Sequence, residues 1–312
     1  MVEYNSNIVN LMTKIHEYKG KQIIYLQYNT ATLEKLKFSS LYHNVKYGCA
    51  LSGYSVSDTK LLQILQFKKS FNNEIEAQIC GFRDALLYIV EDYEFIDINY
   101  DSLCAMYLEM SMGYDETITN ITVAQKDAIK QLCLHYNNVI DLPNTNILTE
   151  IFQFVFEFIH SNLFSNNTHL FSRLLLNLLL YKSNILVTQY QSIDKLIYED
   201  IVGSNKRLKK KNIDYFPFED IHDFMNYYFY KIIESYDALD FNFQLILNEK
   251  ITPQYRVLNI LNRSFEPIAR KDLEVMLADI SRKTIERALV QLQKEDFIIK
   301  VGQGKSTQYK VK

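Results

Sequence analysis

Residues 161–169 read SNLFSNNTH, a polar connection between two apolar runs, IFQFVFEFIH (151–160) and LFSRLLLNLLLY (170–181). A short loop of Ser, Asn and Thr that ends where a helix begins gathers free backbone N–H groups and the positive end of a helix dipole at one point, the setting for holding a phosphate. A group of cations lies near the C-terminus. In SRKTIERALVQLQKEDF, Ser281 caps a helix whose inner side is Ile285, Leu289 and Leu292, which leaves Arg282, Lys283 and Arg287 outside. Lys305 and Lys310 follow on FIIKVGQGKSTQYKV (297–311), an alternating hairpin around Gly302 and Gly304. Such cations neutralise phosphates when a helix enters the major groove of a duplex. Another basic run, GSNKRLKKK at 203–211, reads as a solvated surface loop. Cys49, Cys80, Cys104 and Cys133 are isolated, with neither CxxC nor Cys/His ligand spacing, so neither a zinc site nor a disulfide framework is expected.

Long helices must position these groups. The 312 residues include only 8 Gly and 4 Pro, far below the usual shares of about 7% and 5%. With 48% hydrophobic and 23% charged residues the chain can bury a core, which excludes a disordered or collagen-like class. Ile147–His160 and Phe171–Tyr181 are apolar almost all round and belong in the middle of a domain. Ile75–Tyr93 sets Ile75, Ile79, Phe82, Ala85, Leu86 and Ile89 on one stripe. Residues 1–66 read as helical, with breaks at Gly20 and around YGCALSGYS, and 253–312 as three helices and a hairpin. Two domains are expected, 1–250 and 251–312. Residues 251–312 carry 12 Lys+Arg against 7 Asp+Glu, a balance of +5, which leaves −8 on residues 1–250. The N-terminus lacks the apolar core of a signal peptide, and the apolar runs fall short of the roughly 20 residues that span a bilayer, so a cytoplasmic protein without a membrane partner is expected.

The C-terminal order resembles a winged helix-turn-helix. FEFIHSNLFSNNTHLFSRLLLNLLLYKSN (156–184) resembles the core of the Fic (Fic/Doc) family, whose motif is HPFxDGNGRxxR followed by an apolar helix. FSSLYHN (38–44) is similar to that family's inhibitory pattern (S/T)xxxE(G/N), and FRDALLYI (82–89) to its early helix. The resemblance implies a mainly α fold: a Fic-type helical bundle with its core motif at 147–182, then a small α+β winged-helix domain. The activity it implies is transfer of AMP from ATP, with magnesium, to a hydroxyl of a target protein.

Residue by residue, the resemblance places His160 at the general-base position. No Asp or Glu occurs from Phe158 to Ile193 to hold magnesium, and no Gly between Gly113 and Gly203 to form the phosphate cradle. Asn166, Asn167 and Thr168, counted from His160, or Thr168, His169 and Leu170, counted back from Arg173, replace the motif's Asn-Gly-Arg; Arg173 matches its last Arg. In the inhibitory pattern Ser39 and Asn44 are kept, and His43 stands where the regulatory Glu would be. The departures imply a degenerate Fic protein, inactive or very weak as an AMP transferase, with no certain cofactor, acting as a regulatory or binding module. Two alternatives stay open. One is a divergent nucleotidyltransferase that uses ATP with magnesium or another phosphorylated donor held by Asn166, Asn167, Thr168 and Arg173. The other is a DNA-binding transcriptional regulator whose Fic-like body forms a homodimer, with Arg282, Lys283, Arg287 and Lys305 on duplex DNA.

Overall fold

A computed structural model describes residues 6–26, 30–66, 71–112, 118, 120–164, 166–204, 217–247, 252–264, 266–277, 280–302, 304 and 307–312. Lys305 and residues 205–211 of the basic run lie outside the described residues. Among the described residues are thirteen α-helices and three short strands, in two compact units, Met1–Leu239 and Asp240–Lys312. The division falls at residues 239 and 240, inside a helix that runs on through Leu247. None of the described helices is long and apolar enough to cross a membrane.

The first unit is built from α1 (Ser6–Leu26), α2 (Thr30–Leu51), α3 (Asp58–Gln66), α4 (Glu74–Asp92), α5 (Tyr100–Ser111), α6 (Val123–Ile140), α7 (Ile147–His160), α8 (Thr168–Lys182), α9 (Ile193–Ser204) and α10 (Ile221–Leu247), whose last turns belong to the second unit. Where Gly is scarce, Asn takes over its tasks. Asn73, Asn99 and Asn146 cap α4, α5 and α7 by accepting from the backbone N–H of Glu76, Ser102 and Leu148. Asn162, Asn167 and Asn184 adopt the left-handed φ values of 44°, 51° and 56° that Gly more often supplies. Every residue of α8 from Leu170 to Tyr181 is buried, as its all-round apolar sequence requires.

Two local expectations are corrected. Gly20 does not break a helix: α1 passes through it, with no neighbour within 4 Å of the Cβ position, so only the usual propensity penalty applies. Ile75 is exposed, because it sits in the first turn of α4, before the buried stripe of Ile79, Phe82, Ala85, Leu86 and Ile89 begins.

The chain's first helix closes against its last large one. Gln22 is buried; its amide nitrogen donates to the Asn184 carbonyl (2.5 Å), and its oxygen accepts from Leu186 N–H (3.2 Å) and the Tyr236 hydroxyl (2.9 Å). Tyr18 stacks on Tyr236 at 5.2 Å, and Asn7 donates to Asn226 at 2.9 Å.

In the second unit, α11 (Pro253–Arg263), β1 (Ile268–Ala269), α12 (Arg270–Met276), α13 (Arg282–Lys294), β2 (Ile298–Val301) and β3 (Gln308–Val311) follow in order, the strands pairing antiparallel as β1-β3-β2. Ser281 accepts from Thr284 N–H and starts α13, and Ile285, Leu289 and Leu292 enter a core with Val257, Leu261 and Leu273.

Candidate functional site

The 161–169 connection is not free of the core. Leu163 and Phe164 are buried, with Phe164 packed on Tyr107 (4.6 Å), Phe171 (5.1 Å) and Phe158 (5.4 Å). Polar groups then fix the backbone on the helix side. The Tyr107 hydroxyl donates to the Asn166 carbonyl (2.9 Å), and the Tyr54 hydroxyl to Asn167 Oδ1 (2.7 Å). Asn167 Nδ2 donates to Gln78 Oε1 (3.3 Å), and Gln78 in turn to the Met110 carbonyl (2.9 Å). The Thr168 hydroxyl, buried, donates to the Phe164 carbonyl. Asn167 and Thr168 therefore use their polar side chains to hold the turn into α8, while Asn166 is exposed.

His160 ends α7 on the surface, its ring against Phe156 at 3.9 Å and its Nδ1 3.0 Å from the Phe156 carbonyl. A carbonyl can only accept, so Nδ1 carries the proton in that bond. Arg173 faces inward, to Asp194 of α9 at 2.5 Å, with both side chains 7% exposed. Burial pushes the Asp194 carboxyl above its ordinary value, and the Arg173 charge opposes that rise. Around the pair, Asn44, Ser172, Asn177 and Tyr228 enclose a cavity of about 20 Å³, enough for one water molecule.

Ser39, His43 and Asn44 share α2, at i, i+4 and i+5. Asn44 lines the Arg173 cavity and donates to Ser40 Oγ at 3.3 Å, which itself donates to the Thr188 carbonyl at 2.9 Å. His43 lies between the rings of Tyr42 (5.4 Å) and Tyr47 (5.8 Å). Burial first, then the Lys195 and Lys46 charges, push its pKa down to about 3. A neutral imidazole there cannot take the place of a carboxylate beside an arginine. The unfolded chain protonates His43 near pH 6.5 and the folded chain only near 3, so its contribution to stability is complete above 6.5 and is lost as pH falls between those values. At pH 5 the loss is about 2 kcal/mol. Urea unfolding of wild type and His43→Gln at pH 7 and pH 5 should reveal that excess acid sensitivity in wild type alone; parallel declines would contradict it.

On α13, helical spacing sets Lys283, Arg287, Val290 and Lys294 along the face opposite Ile285, Leu289 and Leu292. All four are exposed, and no ion pair joins Lys283, Arg287 or Lys294 to another described residue. Arg282 lies to one side, tied to Glu286 (3.1 Å) and Glu274 (3.8 Å), which Arg270 also contacts (2.6 and 3.0 Å). Lys300 and Lys310 are exposed on β2 and β3.

Sequence reasoning did not find Asp194, Tyr54, Gln78 or Tyr107. Asp194 had one faint signal: it is the first acid after the run without acids. Among the described residues no three His, Cys, Asp or Glu side chains gather as a metal-holding group.

No protein-family model matches the chain, and no curated protein does. Solved structures do. A Fic family protein from Desulfovibrio desulfuricans G20 superposes with a TM-score of 0.58 at 11% identity, covering 100% of this chain and 97% of that one. The fold is that of the Fic proteins. A Fic domain containing signaling protein from Bacteroides thetaiotaomicron VPI-5482 superposes with a TM-score of 0.50 at 13% identity, over 74% of this chain and 95% of that one. At such identities the likeness is one of fold. On this Fic fold, His160, Asn166, Asn167, Thr168 and Arg173 are gathered on α7, α8 and the connection between them, whereas His43 and Asn44 come from α2.

Proposed function

We propose that this Fic-fold protein does not transfer nucleotide and works as a binding module, which engages duplex DNA through a winged helix formed by residues 253–312. The observation that carries the reading is the outer face of α13. Lys283, Arg287 and Lys294 lie along it without ion-pair partners among the described residues; Glu274 and Glu286 are taken up by Arg270 and Arg282, and Asp296 by Lys312. A row of uncompensated cations on an exposed helix suits a row of phosphates.

Loss of transfer is supported from the other unit. The cation that a motif of this kind would turn to a phosphate, Arg173, is neutralised by Asp194 beside a cavity of about 20 Å³. No carboxylate from Phe158 to Ile193 is available for magnesium. These residues do not fit ATP with magnesium.

Fluorescence anisotropy with duplex DNA over a range of salt tests the reading. Each phosphate contact contributes about 0.9 to the slope of log affinity against log salt, so Lys283→Ala with Arg287→Ala should flatten it by about 2. Lys283 is the better partner for this test than Arg282, which already has carboxylates. Absence of binding at low salt would end the DNA reading, and labelled-ATP transfer abolished by His160→Ala would end the claim of lost transfer.

A further inference from the structure

Beside the anchored connection lies a hollow of about 220 Å³ that neither the DNA reading nor the lost transfer site uses. Cys49, Leu61 and Ile79, all buried, line it together with Tyr47, Tyr54 and Tyr198. We infer that this hollow is a binding site for a small, uncharged, fused-ring aromatic molecule.

Size, lining and charge each narrow the ligand. A closed apolar cavity of about 150 Å³ takes benzene, so this one has room for a second fused ring. Tyr47 and Tyr198 stand 5.0 Å apart with their planes tilted by 43°, which offers a ring both a face and an edge. Besides the tyrosines and Cys49 only Lys46 and Ser55 bring polar side chains to the lining, and Lys46 is paired, so a purine, whose several ring nitrogens need partners, would recover few of the hydrogen bonds it gives up in water. At the rim Lys46 is paired with Asp58 at 2.6 Å, which balances its charge and leaves no cation in demand of an anion. The Tyr54 hydroxyl proton is already engaged by Asn167, so it is committed to the turn into α8 rather than to a ligand.

The chain contains no tryptophan, so indole added to the full-length protein can be followed by its own emission. We expect a saturable blue shift of indole emission and a rise in melting temperature with indole concentration. Ala50 also lines the hollow. Ala50→Phe should abolish the shift, and the milder Ala50→Val should weaken indole at least about tenfold, some 1.4 kcal/mol. Adenosine should produce no rise in melting temperature. Indole emission that does not saturate, or saturates equally in Ala50→Val, would overturn the assignment, as would stabilisation by adenosine without any by indole. Ala50→Val decides the matter should Ala50→Phe fail to fold.

Discussion

Asp194→Ala should lower the free energy of unfolding by about 3–5 kcal/mol, because it leaves an enclosed guanidinium without its counter-charge. Arginine cannot lose its proton to escape that cost. Arg173→Ala should cost less, since the carboxylate it strands can take up a proton, and burial already raises the Asp194 pKa. Replacing both, as Arg173→Met with Asp194→Leu, should return stability to within about 1–2 kcal/mol of wild type, because the pair's attraction mainly offsets its own desolvation. Urea denaturation of the four proteins reads this order directly. A loss below about 1 kcal/mol in Asp194→Ala, the range of solvated surface pairs, would mean that Arg173 is available to a ligand after all, and the proposal that transfer is lost would rest on the missing carboxylate alone.

Gly81→Ala should be nearly as damaging, against the direction of helix propensity. Alanine is favoured over glycine inside a helix by about 1 kcal/mol. A Cβ at position 81, however, would lie 2.1 Å from the Met110 carbonyl oxygen, 2.7 Å from its carbon and 2.9 Å from the Glu109 oxygen. These are backbone atoms of α5, so no side chain can turn away and the two helices must separate. We expect a net loss at or above the usual overpacking cost of about 1–3 kcal/mol. The damage should also reach the 161–169 connection, because the Met110 carbonyl accepts from Gln78, which holds Asn167. Gly20→Ala supplies the opposite case: the Cβ position is open, so the propensity term stands alone and stability should rise by about 0.5–1 kcal/mol. Two mid-helix glycines with effects of the same sign would contradict this account.

Where one period decides structure, the sequence was legible. Ile147–His160 is a helix over the expected residues, Ser281 caps α13, and the C-terminal hairpin turns where Gly302 and Gly304 stand. Gly20 misled because a glycine is read as a breaker, while whether it breaks depends on what packs beside it. The site was less legible than the frame. SNLFSNNTH looks like a polar loop open to a ligand, yet Phe164 pins it to Tyr107, and Tyr54 and Gln78 occupy its last asparagine. Those partners lie 113 and 89 residues away from Asn167, and Asp194 is 21 from Arg173. Periodicity carries no information about such pairings, which arise only when helices are stacked.

The closure of α1 against α10 has a bearing on how the protein is made. Gln22 meets Tyr236 across 214 residues of chain, and Asn7 meets Asn226 across 219. At a synthesis rate of about 5–20 residues per second, α1 leaves the ribosome roughly 10–40 s before its partner exists. During that interval Asn7, Tyr18 and Gln22 have no Asn226 or Tyr236 to meet. Helix α1 thus completes these contacts only once Tyr236 has emerged, and a nascent chain stalled before that point would lack them.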